Sequence, residues 1–357
     1  MLVGVPTETK NRETRVALTP SGAHALVAAG HQVVVQRAAG EGSAYEDDEY
    51  LLAGAVLGTA ADAWAADLVL KVKEPQPEEL PLLRDNVLFT FLHLAANPRL
   101  ADALCAAGTT ALSYDTVQLD DGSLPLLTPM SEVAGRLAVL EGAHHLLSPQ
   151  GGRGVLLPGV PGVPGARVTI LGAGVAGSNA VGQAVAMGAD VTVLDLSLPK
   201  LRALDERFGG RVSTVASTSH TVEDAVLGAD LVIGAVLVPG RPAPTVVSHA
   251  MVTGMRRGSV LVDIAIDQGG CLEDSRPTTH DAPVFEVEGS LLYCVANMPA
   301  AVGSTATRAL ANVTLPYVLR LASGVDAAVR DDAALARGVN VRGGEVVHPA
   351  VAEALGV

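Results

Sequence analysis

The run RVTILGAGVAGSNAVGQAVAMGADVTVLD, from Arg167 to Asp195, decides how the chain is read. Val168 to Leu171 is a short apolar run of strand character. Gly172, Gly174 and Gly177 follow at G-x-G-x-x-G spacing. Val175 to Met187, rich in Ala and Val, predicts a buried helix that Gly188 closes. Val191 to Leu194 predicts a second strand, ending in Asp195. Strand, glycines, helix, strand and acid stand in the register of a βαβ unit that holds a dinucleotide. Gly172 permits the tight turn, Gly174 lets the backbone approach a pyrophosphate, and Gly177 lets the helix pack on the strand. Free N–H groups and the positive dipole end of the helix receive the phosphate charge. Asp195 is placed to accept hydrogen bonds from both hydroxyls of an adenosine ribose. A carboxylate there repels a 2′-phosphate, which favours NAD over NADP.

A length of 357 residues suggests two domains. The chain is 49% hydrophobic but only 3% aromatic, so Ala, Val, Leu and Gly must fill its cores. A net charge of −14 disfavours nucleic acid and anionic membranes as partners. Cys105, Cys271 and Cys294 form no C-x-x-C pair and read as reduced thiols of a cytoplasmic protein. Met1 to Pro6 reads as a strand rather than a targeting signal, and no apolar run approaches membrane-spanning length.

Outward from the fingerprint, the strand–helix–strand rhythm fills both flanks. Leu2 to Pro6 predicts a strand, and the loop from Thr7 to Arg15 gathers Glu8, Lys10, Arg12, Glu13 and Arg15. A helix from Pro20 to Ala29 and a strand from Gln32 to Gln36 follow. With no glycine fingerprint there, a second α/β domain that holds no dinucleotide is the inference. Asp67 to Lys73 predicts a strand whose alternation puts Lys71 and Lys73 on one face, and Val87 to Leu92 predicts another, with His93 directly after it. Ligands of open α/β sheets collect at strand C-termini, so one sheet edge gathers Arg15, Lys73 and His93. Each alone also reads as an ordinary solvated cation or core histidine. Ser131, after Pro129-Met130, is a plausible N-cap of a helix running to about Leu147. Residues 151–166, rich in Gly and Pro, link into the fingerprint.

Beyond Asp195, helices are predicted from Pro199 to Phe208 and Val222 to Leu227, and strands from Arg211 to Val215, Leu231 to Val236, Ser259 to Ile264 and Leu291 to Val295. Asp267 lies just beyond the C-terminal end of the third of these strands, 259–264; it reads equally as an acid at the nicotinamide end or as an Asx-turn residue before Gly269-Gly270. Ser304 to Ala322 predicts a long helix returning to the first domain. His348 and the tail carry no assigned signal. Adjacent His144 and His145 find no completing ligands, so no metal is expected.

Several stretches together resemble the L-alanine dehydrogenases, within the alanine dehydrogenase/transhydrogenase alpha-subunit family. They include GVPTETKNRETRVALTP at 4–20, LVLKVKEP at 68–75, FTFLHLAA at 89–96, PMSEVAGR at 129–136, GGRGVLLPGVPGV at 151–163, ILGAGVAG at 170–177, GAVLVPG at 234–240, VDIAIDQGGCLEDSRPTT at 262–279 and YCVANMPA at 293–300. The resemblance implies two doubly wound, Rossmann-like α/β domains separated by a cleft. The first, discontinuous domain spans 1–128 plus 306–357, and the NAD-binding domain spans 129–305. It implies that L-alanine, NAD+ and water interconvert with pyruvate, ammonium and NADH, in a subunit usually assembled as a hexamer. Arg15 and Lys73 then match the substrate binders, and His93 and Asp267 the acid–base pair. Ser131, Val175, Ala176, Asp195, Lys200, Ser217, Val236, Leu237, Ile264, Ala265, Ile266, Asp267, Arg276, Val295, Ala296, Asn297 and Met298 match cofactor contacts, beside Gly172, Gly174 and Gly177.

The chemistry suits these residue types. Histidine, with an ordinary pKa of about 6.5, takes a proton from the alanine ammonium and then activates water near neutral pH. Arg15 offers a planar fork for a carboxylate, and Asp267 offers charge to an iminium. The NAD-binding part of a transhydrogenase, a saccharopine-type dehydrogenase and a catalytically silent NAD-binding module are the rival readings.

Overall fold

A computed structural model describes residues 1–236 and 243–357. The chain divides into two compact units, Met1–Met130 with Ala300–Val357, and Ser131–Pro299.

The first unit is built on eight strands: β1 (Leu2–Val5), β2 (Gln32–Gln36), β3 (Val56–Gly58), β4 (Leu68–Leu70), β5 (Val87–Thr90), β6 (Thr110–Ser113) and, from the far end of the chain, two more. The second unit supplies β7 (Arg167–Leu171), β8 (Asp190–Asp195), β9 (Val212–Ala216), β10 (Leu231–Gly234), β11 (Val260–Asp263), β12 (Val284–Val287) and β13 (Ser290–Tyr293). The returning strands of the first unit are β14 (Val339–Arg342) and β15 (Glu345–Val346).

The first sheet runs β15-β14-β6-β5-β4-β1-β2-β3. β1 to β6 are parallel, while β14 pairs antiparallel with β6 and β15 antiparallel with β14. Both faces are covered, as a parallel sheet requires. Leu68 and Leu70 face one apolar cluster with Val3, Val5 and Phe89. Val69, between them, faces the other with Leu88, Ala111 and Val341. The second sheet runs β12-β13-β11-β10-β7-β8-β9, all parallel except the edge strand β12. In each sheet the strand order reverses beside the first strand, between β1 and β4 and between β7 and β10. Such switch points open a crevice at the strand C-termini.

Several expected boundaries shift for physical reasons. The strand expected over residues 67–73 stops at Leu70, so alternation does not govern Lys71 and Lys73. The N–H groups of Val72 and Lys73 go instead to the Glu8 carboxylate, at 2.6 and 3.2 Å. Ser131 is not an N-cap: it lies inside the helix Thr128–His145. Pro129 sits in that helix's first turn, where a missing donor costs nothing. The strand β13 is the second arm of a hairpin rather than a lone strand. Its turn residues Glu288 and Gly289 have φ of +49° and +84°, the positive pair a tight two-residue hairpin turn needs. The tail beyond Ser323, which carried no assigned signal, supplies two strands of the first sheet.

Candidate active site

Arg15 ends the loop that leaves β1. Its guanidinium is 2% exposed and lies in a fork-to-fork pair with Glu13, Nε and Nη2 donating to the two carboxylate oxygens at 2.7 and 2.5 Å. The Arg15 main-chain N–H donates to the same carboxylate at 3.0 Å, and Nη1 faces Met130 Sδ at 3.0 Å. A fork paired on one edge has the plane of its guanidinium fixed by that partner. The loop is clamped as well. Thr14 Oγ1 donates to the Ala300 carbonyl at 2.5 Å, Ser43 Oγ donates to the Thr14 carbonyl at 2.9 Å, and Val16 N–H donates to Thr307 Oγ1 at 3.0 Å. Gly303 is required there, because a Cβ would lie 2.4 Å from Thr14 Oγ1.

Lys71 and Lys73 follow β4 and part company. Lys71 is fully buried, with Nζ 3.0 Å from Glu8 Oε2 and 2.9 Å from Glu79 Oε1. Burial works against its charge, but the two carboxylates outweigh it and hold the ammonium above its ordinary pKa. Lys71 is therefore a structural cation. Lys73 is 5% exposed. Burial alone would raise the neighbouring Glu74 carboxyl, but Lys10 and then Lys73 pull it below its ordinary value.

His93 lies three residues past β5. Its backbone is left-handed, with φ of +46°, a conformation uncommon outside glycine. The imidazole is stacked on Phe91, ring centroids 5.9 Å apart and planes 6° from parallel. Its Nδ1 is 3.8 Å from Asp115 Oδ2. Asp115 is tethered in turn: its Oδ1 accepts from Leu92 N–H at 3.3 Å and from Ser113 Oγ. Sequence reading passed over Asp115. The available signal was an acid two residues beyond β6, at the same sheet edge as His93. Arg15, Lys73 and His93 thus follow the C-terminal ends of β1, β4 and β5, next to the switch point of the first sheet.

In the second unit, Gly172 has φ of +103°, and a Cβ on it would lie 2.6 Å from the Ala235 carbonyl. A Cβ on Gly177 would lie 1.8 Å from the Gly172 carbonyl. Turn and helix are therefore closed tightly onto β7 and β10. A Cβ on Gly174 would meet nothing within 4 Å, so open space stands over the start of the helix Val175–Ala186. Val175 and Ala176 open that helix. Asp195 ends β8 with Oδ2 accepting from Ala173 N–H at 2.6 Å and Oδ1 from Ser197 N–H at 2.7 Å. The acid therefore braces the glycine turn. Ser217 follows β9, its N–H donating to the Asp195 carbonyl at 3.0 Å.

Val236 lies two residues past β10, and Leu237 lies outside the described residues. Ile264, Ala265, Ile266 and Asp267 form the turn Ile264–Gln268 directly after β11, with Ala265 and Ile266 buried and Asp267 exposed. Val295, Ala296, Asn297 and Met298 follow β13. Asn297 has φ of +68°, and its carbonyl is 3.3 Å from His280 Nε2. These residues share the C-terminal edge of the second sheet. Lys200 is exposed on the helix Leu198–Phe208, and the Arg276 guanidinium lies 4.1 Å over the Phe285 ring. Ser131 is on the helix Thr128–His145, which packs closely on the start of the helix Val175–Ala186: a Cβ on Gly135 would lie 2.1 Å from the Ala176 carbonyl.

These residues fit a dinucleotide. The cradle over Gly174 is clear, the turn is closed by glycines that tolerate no side chain, and a braced carboxylate stands one strand over.

Comparison with known proteins agrees. The family models for the alanine dehydrogenase/PNT N-terminal and C-terminal domains match residues 4–134 and 138–349. The alanine dehydrogenase of Mycobacterium tuberculosis (strain CDC 1551 / Oshkosh) is 58% identical over 361 residues, covering 100% of this chain and 97% of the relative. That of Bacillus subtilis is 52% identical over 360 residues, covering 100% and 95%. A solved L-alanine dehydrogenase superposes with a TM-score of 0.97 at 51% identity, over 100% of this chain and 99% of that one. A transhydrogenase from Sinorhizobium meliloti gives a TM-score of 0.85 at 28% identity, over 97% and 100%.

Proposed function

The chain belongs to the alanine dehydrogenase/PNT family, and on that premise we propose that it interconverts L-alanine with pyruvate and ammonium, dependent on NAD. The observation that carries this reading is the gathering of a forked guanidinium, an ammonium and a half-exposed imidazole at one sheet edge. That set suits a small acid bearing a carboxylate, a carbonyl and an exchangeable proton.

Arg15, oriented by Glu13, binds the substrate carboxylate. Lys73 hydrogen-bonds the carboxylate or the developing carbonyl oxygen. His93 takes a proton from the alanine ammonium, then activates the water that hydrolyses the imine. Asp267 stabilises the iminium cation by charge. NAD supplies the hydride acceptor. Gly172, Gly174, Val175, Ala176 and Gly177 hold its pyrophosphate at the helix start, and Asp195 takes the adenosine ribose. Ser131, Lys200, Ser217, Val236, Leu237, Arg276 and residues 264–267 and 295–298 complete its contacts. On this reading 1–128 with 306–357 is the substrate domain and 129–305 the NAD domain.

The same proposal includes assembly as a homohexamer in the cytoplasm. Leu156, Val160 and Val163, 52–59% exposed, support a subunit contact, since contiguous exposed apolar residues mark interfaces. No helix of the described residues is long and apolar enough to cross a membrane.

Absorbance in the NADH band, with purified protein, NAD+ and L-alanine at alkaline pH, tests the reading. Glycine, L-lysine and NADP+ run alongside. A rise with L-alanine and NAD+ alone is expected. NADH binding without turnover of any amino acid would leave a transhydrogenase-like module instead.

A further inference from the structure

Asp263 ends β11 with its side chain fully buried, and the chain that follows is wrapped around it. Its Oδ1 accepts from Ala265 N–H at 2.9 Å and faces Cys271 Sγ at 3.4 Å. Its Oδ2 accepts from Cys271 N–H at 2.8 Å, from Leu272 N–H at 3.4 Å and from Ser275 Oγ at 2.5 Å. One donor, Ala265 N–H, lies near the start of the turn Ile264–Gln268, and the others follow its end, so the donors flank Asp267. Two glycines make the space. A Cβ on Gly234 would lie 2.4 Å from Cys271 Sγ, and one on Gly270, whose φ is +82°, would lie 2.8 Å from Asp263 Oδ2. Charge-assisted bonds to main-chain N–H groups are shorter and stronger than neutral ones. Burying a carboxylate is costly unless hydrogen-bond donors are held around it.

We propose that Asp263 is a positioning residue for Asp267: its carboxylate fixes the loop from which Asp267 is presented. This rests on the role proposed for Asp267. The loop closes through Ala265 on one side and through Cys271, Leu272 and Ser275 on the other, so Asp267 stands between two tethers to one side chain. An asparagine keeps the shape but sets an amide N–H₂ against donors, releasing one tether.

The full chain as wild type, D263N, S275A, D267N and the D263N/D267N and S275A/D267N double variants tests this, by L-alanine-dependent NADH formation and by fluorescence titration with NADH. D263N is expected to lose about a hundredfold in kcat while still binding one NADH per chain. On the D267N background the same change is expected to cost less than about threefold, because coupled residues are not additive. Unchanged kcat in D263N, or a loss that multiplies in full with that of D267N, overturns the proposal. Should D263N not fold, S275A carries the test, with a loss of about tenfold that D267N absorbs; unchanged kcat in S275A overturns it. A wild type that makes no NADH from L-alanine refutes the functional reading alone. The positioning role is then read from NADH affinity, expected to weaken about tenfold in D263N through the displaced 264–267 segment, and overturned by an unchanged Kd.

Discussion

At His93 the backbone selects the informative substitution. With φ of +46°, asparagine is tolerated better than most residues, because its short polar side chain visits the left-handed region. His93→Asn therefore removes the imidazole with little disturbance of the turn. The expected result is a kcat lower by about 10²–10⁴-fold, with NADH affinity unchanged by fluorescence titration. Turnover near that of wild type would remove His93 from the proton transfers. His93 and Lys73 stood out in the sequence because each follows an apolar run near a strand end, and Arg15 as the last cation of the charged loop after β1. Lys71 was not separable from Lys73: its partners Glu8 and Glu79 lie in loops whose approach no spacing records. Asp263 was invisible for a related reason. In SVLVDI it reads as one residue of a strand, and most of its partners are main-chain N–H groups, which every sequence has.

Among the elements, β14 decides whether the first sheet is closed. Val341 is fully buried in the cluster with Val69, Leu88 and Ala111, and β14 covers the edge of β6. A charge there finds no water and no partner. Val341→Asp is expected to destabilise the first unit by about 3 kcal/mol or more, read as a lower urea midpoint. An unchanged midpoint would show that β14 adds nothing to that core. Most of the parallel strands were legible as apolar runs, but β3 and β6, three and four residues long, were not; the fingerprint fixed the helix Val175–Ala186 to within a residue. The hairpins were not. Glu288-Gly289 and Gly343-Gly344 are turn signals, but the flanking strands are four residues or shorter and their apolar alternation is too brief to stand out.

Across the whole molecule, each unit holds a histidine whose charged form burial disfavours, His145 buried and His348 half-buried. In the second unit, burial and then His144 lower the pKa of His145 below its ordinary 6.5. In the first, burial lowers that of His348 against the opposing pull of Asp115. His348 Nδ1 accepts from Val351 N–H at 3.4 Å, capping the helix Pro349–Leu355. A histidine whose folded pKa is depressed leaves the unfolded chain binding more protons as pH falls. Its stabilisation is full above pH 6.5 and is lost as pH drops through 6.5 toward the folded pKa. Thermal midpoints are therefore expected to fall between pH 7.5 and 5.5, and His145→Gln and His348→Gln each to flatten that fall. A wild-type profile that is level over this range would contradict the assignment.

The late arrival of β14 also sets an order on synthesis. The residues of β6 leave the ribosome more than 200 positions ahead of their antiparallel partner, Leu112 against Val339. At about 5–20 residues per second, that edge waits roughly 10–45 s with its hydrogen-bonding groups uncovered. The unit Ser131–Pro299 is contiguous and complete well before then. A nascent chain thus carries a finished second unit while its first still offers a bare strand edge, the surface that chaperones shield and that neighbouring chains seize.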